Sequence, residues 1–250
     1  MTNTPNFFAL IIGTEILNRR RKDAHFDFVT QALANKGHKL TGSFIIEDDP
    51  DLIVQTIKFI ASQPNTIIFS FGGIGSTPDD HTRLCAAIAL RDGKLYTHKE
   101  AKEIIEDKLG DDAYPHPIVM AELPKHADLL YNPVNKVPAF SLDERYYFMP
   151  GFPQMSHPMV NTILEKLIPH TKEIFRHTLT AMCKENIFIE IMQNMPKEVE
   201  YSSLPKLLDN AWQVSISIAS NDASLAQESF TIYIDLLIKK NISYTLTDEI

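Results

Sequence analysis

Apolar residues in the first two thirds of the chain form short continuous runs that are separated by stretches with helical spacing. The runs Phe7–Ile12 and Asn65–Phe71 predict strands buried on both faces, because a strand with one solvated face alternates apolar and polar residues. The predicted strands are Phe7–Ile12, Lys39–Ile46, Asn65–Phe71 and Arg145–Met149, and the predicted helices lie at 22–35 (apolar at Phe26, Val29, Leu33), 52–60, 78–90 (apolar at Leu84, Ala87, Ile88, Leu90), 97–112 and 155–167. This alternation predicts an α/β fold with a parallel sheet, helices on both faces, and a ligand site beyond the carboxyl ends of the strands.

The later part of the chain contains an irregular proline-rich stretch and then a domain boundary. Five prolines between Tyr114 and Phe140, with little periodicity, predict a long irregular excursion. A break at Pro169–Lys172 predicts two domains, 1–168 and 169–250. The second is predicted as strand 173–181, helix 184–195, strand 199–204, strand 212–219, helix 223–240 and strand 242–246. That βαββαβ order predicts a small α+β ferredoxin-like domain.

Charge and composition exclude several classes of protein. The formal net charge of −8 disfavours binding to a nucleic-acid backbone. The first apolar run is too short for a signal sequence or a membrane span. Cys85 and Cys183 are isolated, which predicts neither a disulfide framework nor a thiolate metal site. We therefore expect a cytoplasmic protein, and we also expect a homo-oligomer.

The most informative segment lies between the second buried run and the following helix. It reads Gly-Gly-Ile-Gly-Ser-Thr-Pro-Asp-Asp over residues 72–80 and holds three of the nine glycines of the chain. Glycines let backbone N–H groups approach an oxyanion closely, and the helix start adds a favourable dipole. The segment therefore predicts a phosphate cradle formed by Gly72, Gly73, Gly75, Ser76 and Thr77. An ordinary helix start, with Thr77 as N-cap, Pro78 in the first position and Asp80 in the third, explains part of the same pattern.

Acidic residues follow several predicted strands at the same sheet edge. Asp79 and Asp80 in the glycine segment, Asp48 after the second strand and Glu15 after the first are the candidates. Carboxylates beside a bound phosphate would repel it, which favours a bridging Mg²⁺-type cation or hydrogen bonds to sugar or pterin groups. Asp48 and Asp80 are candidate catalytic residues, and Asp48, Asp79 and Asp80 are candidate metal ligands.

Each of these candidates has a simpler interpretation. Asp48 or Asp49 can cap the helix that follows Pro50, and Glu15 can bind backbone amides in its own turn. The basic run Arg19–Lys22 can steer a phosphate or can be a solvated charged face. Cys85 is predicted to be a core residue rather than a nucleophile, and no histidine has the spacing of a zinc ligand.

Four segments together resemble the molybdopterin-binding (molybdenum cofactor biosynthesis) domain family, in the branch of the competence/damage-inducible protein A. They are Ile12–Leu17, Glu47–Asp49, Gly72–Thr82 and Met149–Met155, and the proline-rich stretch Tyr131–Phe140 is also similar to that branch. The resemblance covers Phe7–Leu167. It implies ligand-binding roles for the glycine segment, Glu15 and Gly151, and pterin or nucleotide handling by Asp48 and Asp80.

The chain departs from the branch pattern at three positions, with Thr14 in place of Asp, Asn18 in place of Gly and Ala139 in place of Gly. Loss of the first acid argues against a fully assembled metal site. The resemblance implies a stand-alone form without the amidase domain of longer competence proteins.

Three functions follow as expectations. The first is binding of a phosphorylated small molecule, molybdopterin or nucleotide, with divalent-metal-dependent hydrolysis of ADP-ribose-like or dinucleotide pyrophosphates. The second is a non-catalytic ligand-binding or assembly module, which Thr14 favours. The third is molybdopterin adenylyl transfer in molybdenum cofactor biosynthesis.

Overall fold

The computed structural model describes residues 5–208 and 211–247 and divides between His170 and Thr171 into two compact units, Met1–His170 and Thr171–Ile250. The strands of the first unit are β1 (Asn6–Ile12), β2 (Leu40–Ile46), β3 (Thr66–Phe71), β4 (Leu95–Thr97), β5 (Glu122–Pro124), β6 (Asp128–Leu130), β7 (Ala139–Leu142) and β8 (Tyr146–Met149). Its helices are α1 (Thr14–Leu17), α2 (His25–Ala34), α3 (Pro50–Ala61), α4 (Thr82–Leu90), α5 (Lys99–Leu109) and α6 (Pro153–Leu167), and 3-10 turns lie at Gly110–Ala113 and Pro117–Ala121.

Six of these described strands form one sheet in the order β2-β1-β3-β8-β7-β6. The first four run parallel, as predicted, and the buried runs β1 and β3 occupy its centre. Both are almost wholly buried, which confirms that continuous apolar runs indicated strands covered on both faces. The carboxyl ends of β1, β3 and β8 therefore meet at one edge.

The predicted parallel sheet is extended on one side by antiparallel strands. Strands β7 and β6 are antiparallel additions, and β7 joins β8 through a tight turn in which Asp143 and Glu144 have positive φ. Such a short connection can only join antiparallel strands. The predicted irregular excursion 114–140 accordingly contains β5, β6 and the start of β7, so it is more ordered than its prolines indicated.

Two helices depart from the predicted burial, α2 at one residue and α4 over most of its face. In α2, Val29 and Leu33 are buried but Phe26 is 44% exposed. In α4, Ala87 is buried as predicted, whereas Leu84 and Ile88 are exposed. Small residues instead form the buried face of α4, and Cys85 is buried there as predicted, with its Sγ 3.5 Å from the carbonyl oxygen of Pro50.

The second unit consists of β9 (Phe175–Ala181), a 3-10 turn at Glu185–Phe188, α7 (Ile189–Gln193), β10 (Glu200–Leu208), β11 (Ala211–Ser220), α8 (Ala223–Lys239) and β12 (Tyr244–Thr247). Its described strands form an antiparallel sheet in the order β10-β11-β9-β12. This order confirms the ferredoxin-like prediction. The predicted helix 184–195 is shorter than expected, because its first turn is 3-10.

No helix in the described parts of either unit is long and apolar enough to cross a bilayer.

Candidate functional site

A cavity of about 510 Å³ lies at the carboxyl ends of the central strands of the first unit. Each residue that the sequence analysis placed in the site lines it, namely Glu15, Asp48, Gly72, Gly73, Gly75, Ser76, Thr77, Asp79, Asp80 and Gly151. These residues follow four different strands, and the parallel order of the sheet brings them to one edge.

The glycine segment begins where the carboxyl ends of β1, β3 and β8 lie close together. Gly72 has φ +103°, and its N–H donates to the carbonyl oxygen of Met149 at 3.0 Å. A Cβ on Gly72 would lie 2.3 Å from the carbonyl oxygen of Ile12, and a Cβ on Gly151 would lie 3.3 Å from the Gly72 Cα. Gly72 therefore has to be glycine for β1 and β3 to approach this closely, and Gly151 leaves little room for a side chain.

Four consecutive backbone donors in this segment have no protein acceptor. The N–H groups of residues 73–76 donate to no backbone or side-chain oxygen in the described chain. All four residues line the cavity. A run of unsatisfied N–H groups in a concave loop is a typical anion-binding arrangement.

The end of the segment differs from the predicted helix start. Helix α4 begins only at Thr82, so Thr77 is not its N-cap and Asp80 is not in its first turn. The carboxylate of Asp80 instead accepts the N–H and the hydroxyl of Thr77, at 2.8 and 2.6 Å. This local ring keeps residues 77–80 out of the helix, because Asp80 satisfies the Thr77 N–H within the loop.

Asp79 converges on the same hydroxyl. Its Oδ1 lies 2.5 Å from Thr77 Oγ1, and this hydrogen bond lowers the pKa of Asp79. One hydroxyl carries one hydrogen, so Thr77 cannot donate fully to Asp79 and Asp80 at once. The two carboxylates are therefore held close together with incomplete compensation of their charge.

Asp48 has a partner of its own. Its Oδ2 accepts the N–H of Thr14 at 2.8 Å and the Thr14 hydroxyl at 2.9 Å, while Thr14 Oγ1 lies 3.1 Å from the Asp48 N–H. The neighbouring acid Asp49 caps α3 by accepting the N–H of Leu52 at 2.7 Å. The capping alternative thus applies to Asp49, and Asp48 joins the ends of β1 and β2.

The three predicted metal ligands do not form one preassembled set. Within residues 5–208 and 211–247, no three His, Cys, Asp or Glu side chains come close enough together to hold a metal ion. Asp48 is occupied by Thr14, whereas Asp79 and Asp80 remain a pair. Two carboxylates together with phosphate oxygens are a common environment for Mg²⁺, so this pair fits a cation shared with a ligand.

One member of the basic run reaches the cavity. Arg21 lines the wall, donates from Nη2 to the carbonyl oxygen of Gly151 at 2.6 Å, and lies 3.5 Å from a carboxylate oxygen of Glu15. Its guanidinium also lies 5.5 Å from the centroid of the Phe152 ring. Among the described lining side chains, Arg21 is the single cation against four carboxylates.

The sequence analysis missed a buried arginine behind the loop. Arg83 is 7% exposed and donates from Nη2 to the carbonyl oxygen of Gly75 at 2.8 Å and from Nη1 to the carbonyl oxygen of Val119. Burial lowers the pKa of Arg83, and Asp80 and Glu122 oppose that effect. The sequence did contain a signal for this residue, because Arg83 closely follows the acidic residues Asp79 and Asp80. Arg83 holds the glycine segment against the 3-10 turn at Pro117–Ala121.

A buried histidine supports the opposite wall. His25 is 3% exposed, stacks on Phe71 with ring centroids 4.2 Å apart, and has Nε2 3.3 Å from the carbonyl oxygen of Gly151. Burial lowers its pKa to about 4, and the hydrogen bond to Gly151 opposes this only in part. His25 is therefore neutral at pH 7.

A second cavity, of about 710 Å³, lies in the C-terminal unit. Its wall combines apolar side chains, such as Ile191 and Leu236, with polar and charged ones, such as Glu190 and Lys239. It has neither a glycine segment nor converging strand ends, so we place the candidate site at the smaller cavity.

Comparison with known proteins identifies the first unit. A family model described as a probable molybdopterin binding domain matches residues 8–170. A CinA-like protein of Sulfurihydrogenibium sp. is 24% identical over 216 residues, which cover 80% of this chain and 52% of that protein. A putative competence-damage inducible protein of Bacillus pumilus is 30% identical over 166 residues, 64% of this chain and 39% of that protein. The chain thus spans about half or less of the length of these relatives.

A solved structure agrees with this match. The crystal structure of the protein CinA with unknown function from Thermoplasma acidophilum superposes with a TM-score of 0.60 at 26% identity, covering 67% of this chain and 99% of that one. The family match contains all residues of the 510 Å³ cavity and, apart from the first two residues of β1, all strands of the first sheet. The chain therefore belongs to the probable molybdopterin binding domain family, in its CinA-like branch.

Proposed function

We propose that the 510 Å³ cavity binds a phosphorylated pterin or nucleotide. The observation that carries this proposal is the run of four N–H groups at residues 73–76, which line the cavity and have no acceptor in the described chain. N–H groups without a protein acceptor are hydrogen-bonded to water in the free protein. Replacing that water by a charged phosphate oxygen gives a stronger hydrogen bond, so these groups favour an anionic ligand.

The phosphate would lie between this backbone segment and Arg21. The guanidinium is already oriented by Gly151 and Glu15, so it would lose little side-chain freedom on contact. Four carboxylates in the same lining oppose a phosphate, and each close pair of like charges costs on the order of a few kcal/mol. Tight binding therefore requires additional positive charge.

Asp79 and Asp80 are the residues that would hold a divalent cation such as Mg²⁺. The support is their convergence on one Thr77 hydroxyl, which leaves carboxylate charge uncompensated. When bound, the cation supplies positive charge that offsets repulsion between the phosphate and the acids. Asp48 does not complete a three-carboxylate set, because no three such side chains cluster closely enough to hold a metal ion among the described residues.

The finer activity that we propose is hydrolysis of ADP-ribose-like or dinucleotide pyrophosphates. In this reaction the 73–76 N–H groups and Arg21 would stabilise charge that develops on the phosphate oxygens. Asp80 would hold the cation against the phosphate groups of the ligand, and the second carboxylate oxygen of Asp48 would orient the attacking water molecule. Both acids keep one carboxylate oxygen that makes no hydrogen bond within the described residues.

A non-catalytic binding or assembly module is the second candidate. The hydrogen bonds between Thr14 and Asp48 favour it. The Thr14 hydroxyl donates to the Asp48 carboxylate, whereas an Asp at position 14 would have required a cation between the two carboxylates. Homo-oligomerisation and a cytoplasmic location stay predictions from the sequence.

Calorimetric titration of pyrophosphate, ADP-ribose and FAD, with and without Mg²⁺ or Mn²⁺, tests binding. Formation of AMP from ADP-ribose and FAD, and of phosphate from pyrophosphate, in the same samples tests hydrolysis. We expect binding that Mg²⁺ strengthens, and a loss of about tenfold or more for Arg21→Gln, the magnitude of one charged hydrogen bond. Arg20→Gln is the matched control, because Arg20 does not line the cavity. Binding without formation of AMP or phosphate would favour the second candidate, and no binding of any of these compounds would refute the first.

A further inference from the structure

A single aromatic residue, Phe152, lines the 510 Å³ cavity within the part of the chain that the structure describes. Phe152 directly follows Gly151, where an added Cβ would lie 3.3 Å from the Gly72 Cα, so it belongs to the segment that contacts the start of the glycine segment. The residue is 53% exposed, whereas phenylalanine is among the residues most often buried. Phe152 therefore offers open aromatic surface in the same cavity as the 73–76 N–H groups.

The backbone of Phe152 is fixed at the start of α6. Its carbonyl oxygen accepts the N–H groups of Met155 and Ser156 at 2.9 and 3.0 Å and the hydroxyl of Ser156 at 3.1 Å. Pro153 follows, and a residue before proline is restricted to extended conformations, which agrees with φ −95° and ψ 114° at Phe152. Contact with a ligand therefore has to order only the side chain, which keeps the entropic cost of binding small.

The surroundings of Phe152 combine apolar surface with positive charge. The guanidinium of Arg21 lies over the Phe152 ring, 5.5 Å from its centroid, and donates to the carbonyl oxygen of Gly151. Met120, Val137 and Met155 add apolar side chains to the same lining. Apolar and aromatic walls with a few placed polar groups are typical of sites that bind a ring-bearing ligand, and the adjacent cation suits a ligand that also carries phosphate.

We propose that the side chain of Phe152 stacks on the heterocyclic ring of the bound ligand, such as the adenine of ADP-ribose, while Arg21 and the 73–76 N–H groups hold its phosphates. This inference rests on the proposed binding function and adds a specificity-determining residue to it. Stacking on an aromatic side chain tolerates any base, because every base has a π face. Phe152 therefore does not choose between kinds of ring, but it makes the site prefer a ring-bearing phosphate ester to inorganic pyrophosphate.

Calorimetry with ADP-ribose and pyrophosphate analogues in which a methylene group replaces the bridging oxygen tests this role, because neither analogue can be hydrolysed in Mg²⁺. Phe152→Leu keeps an apolar side chain but removes the aromatic ring. We expect it to shift the ratio of the two dissociation constants roughly tenfold against the ADP-ribose analogue, an effect typical of losing one base–aromatic stack. Comparing a ratio cancels any change that Phe152→Leu makes to Arg21 and hence to phosphate binding in general.

Two further variants separate stacking from a structural effect. Phe152→Tyr retains the aromatic ring and should keep the ratio of the unaltered protein. Phe59→Leu is the matched control, because Phe59 is 54% exposed but does not line the cavity, and it should also leave the ratio as it was.

Proton NMR of the bound ADP-ribose analogue gives a direct readout. An aromatic ring shields protons that lie over its face, so the adenine protons should shift upfield in the complex, lose this shift in Phe152→Leu and regain it in Phe152→Tyr. The same ratio of dissociation constants in a folded Phe152→Leu variant, or no upfield shift in the unaltered protein, would overturn the inference while leaving phosphate binding intact. Failure of both analogues to bind the unaltered protein would instead count against the proposed function. The upfield shift in the unaltered protein decides the question even where a variant is unstable.

Discussion

Gly72→Ala is the substitution whose cost follows most directly from the backbone of the site. Gly72 has φ +103°, a conformation that L-residues rarely adopt, and an added Cβ would lie 2.3 Å from the carbonyl oxygen of Ile12. The conformational strain costs about 1 to 3 kcal/mol. Forcing an atom into a closely packed position costs about 1 to 3 kcal/mol more, because the opposing atom is backbone of the central strand β1. The expected loss in the free energy of unfolding is therefore about 2 to 6 kcal/mol, a large part of the 5 to 15 kcal/mol of a typical domain.

Gly93→Ala isolates the first of these contributions. Gly93 also has a positive φ, +77°, but its added Cβ would make an ordinary contact, 3.7 Å from Ile88 Cγ1. Both variants change the unfolded chain in the same way. We expect Gly72→Ala to lose about 1 to 3 kcal/mol more than Gly93→Ala, which is the packing contribution alone.

Native-state hydrogen exchange of the β1 and β3 amides is the appropriate assay. The single tryptophan, Trp212, belongs to the C-terminal unit, so its fluorescence does not report on this sheet. Equal losses in the two variants would show that the chain relaxes around Gly72 and would refute the requirement for close strand approach.

Three further changes have definite expected outcomes. The folded pKa of His25, about 4, is below its unfolded value of 6.5, so on acidification the unfolded state takes up the proton first, and the free energy of unfolding should fall by up to about 1.4 kcal/mol per pH unit as the pH is lowered from 6.5 to 4. Urea unfolding across this range should show a weaker dependence of the free energy of unfolding on pH for His25→Gln, and the same dependence in both proteins would contradict the burial of a neutral His25. Asp80→Asn keeps one acceptor for Thr77 and should cost only about 1 kcal/mol of stability, yet remove the Mg²⁺ dependence of ligand binding; calorimetry that finds the same Mg²⁺ effect in both proteins would exclude Asp80 as a ligand of the cation. Arg83→Met should destabilise the first unit by about 1.5 to 3 kcal/mol, because it removes the charged hydrogen bonds of a buried guanidinium to the carbonyls of Gly75 and Val119; thermal unfolding within error of the unaltered protein would show that Arg83 does not hold the loop.

Much of the site was predictable because it depends on local pattern and sheet topology. Continuous apolar runs indicated β1 and β3, and in a parallel sheet the segments after such strands share one edge. Glu15, Asp48 and the glycine segment could therefore be assigned to one place before their distances were known. The capping role of Asp49 was likewise among the alternatives, since Pro50 follows it directly.

Contacts between distant segments were not predictable from the same pattern. Thr14 and Asp48 are 34 residues apart, and Arg83 reaches Val119 across 36 residues. Residue spacing indicates which face of a helix or strand is buried, but it does not indicate which distant backbone atom a side chain meets. For the same reason, the start of α4 at Thr82 and the exposure of Leu84 and Ile88 became evident only with the fold.

The sequence by itself determined the four parallel strands of the first sheet and the helices between them, the ferredoxin-like second unit and the position of the glycine segment, because these follow from local periodicity and from residues that permit unusual backbone conformations. Tertiary structure alone decided that β6 and β7 extend the sheet antiparallel and that Arg21 is the member of its basic run that lines the cavity. Each of these outcomes depends on how separate segments pack against one another, and packing is a property of three-dimensional proximity that no local window of sequence contains.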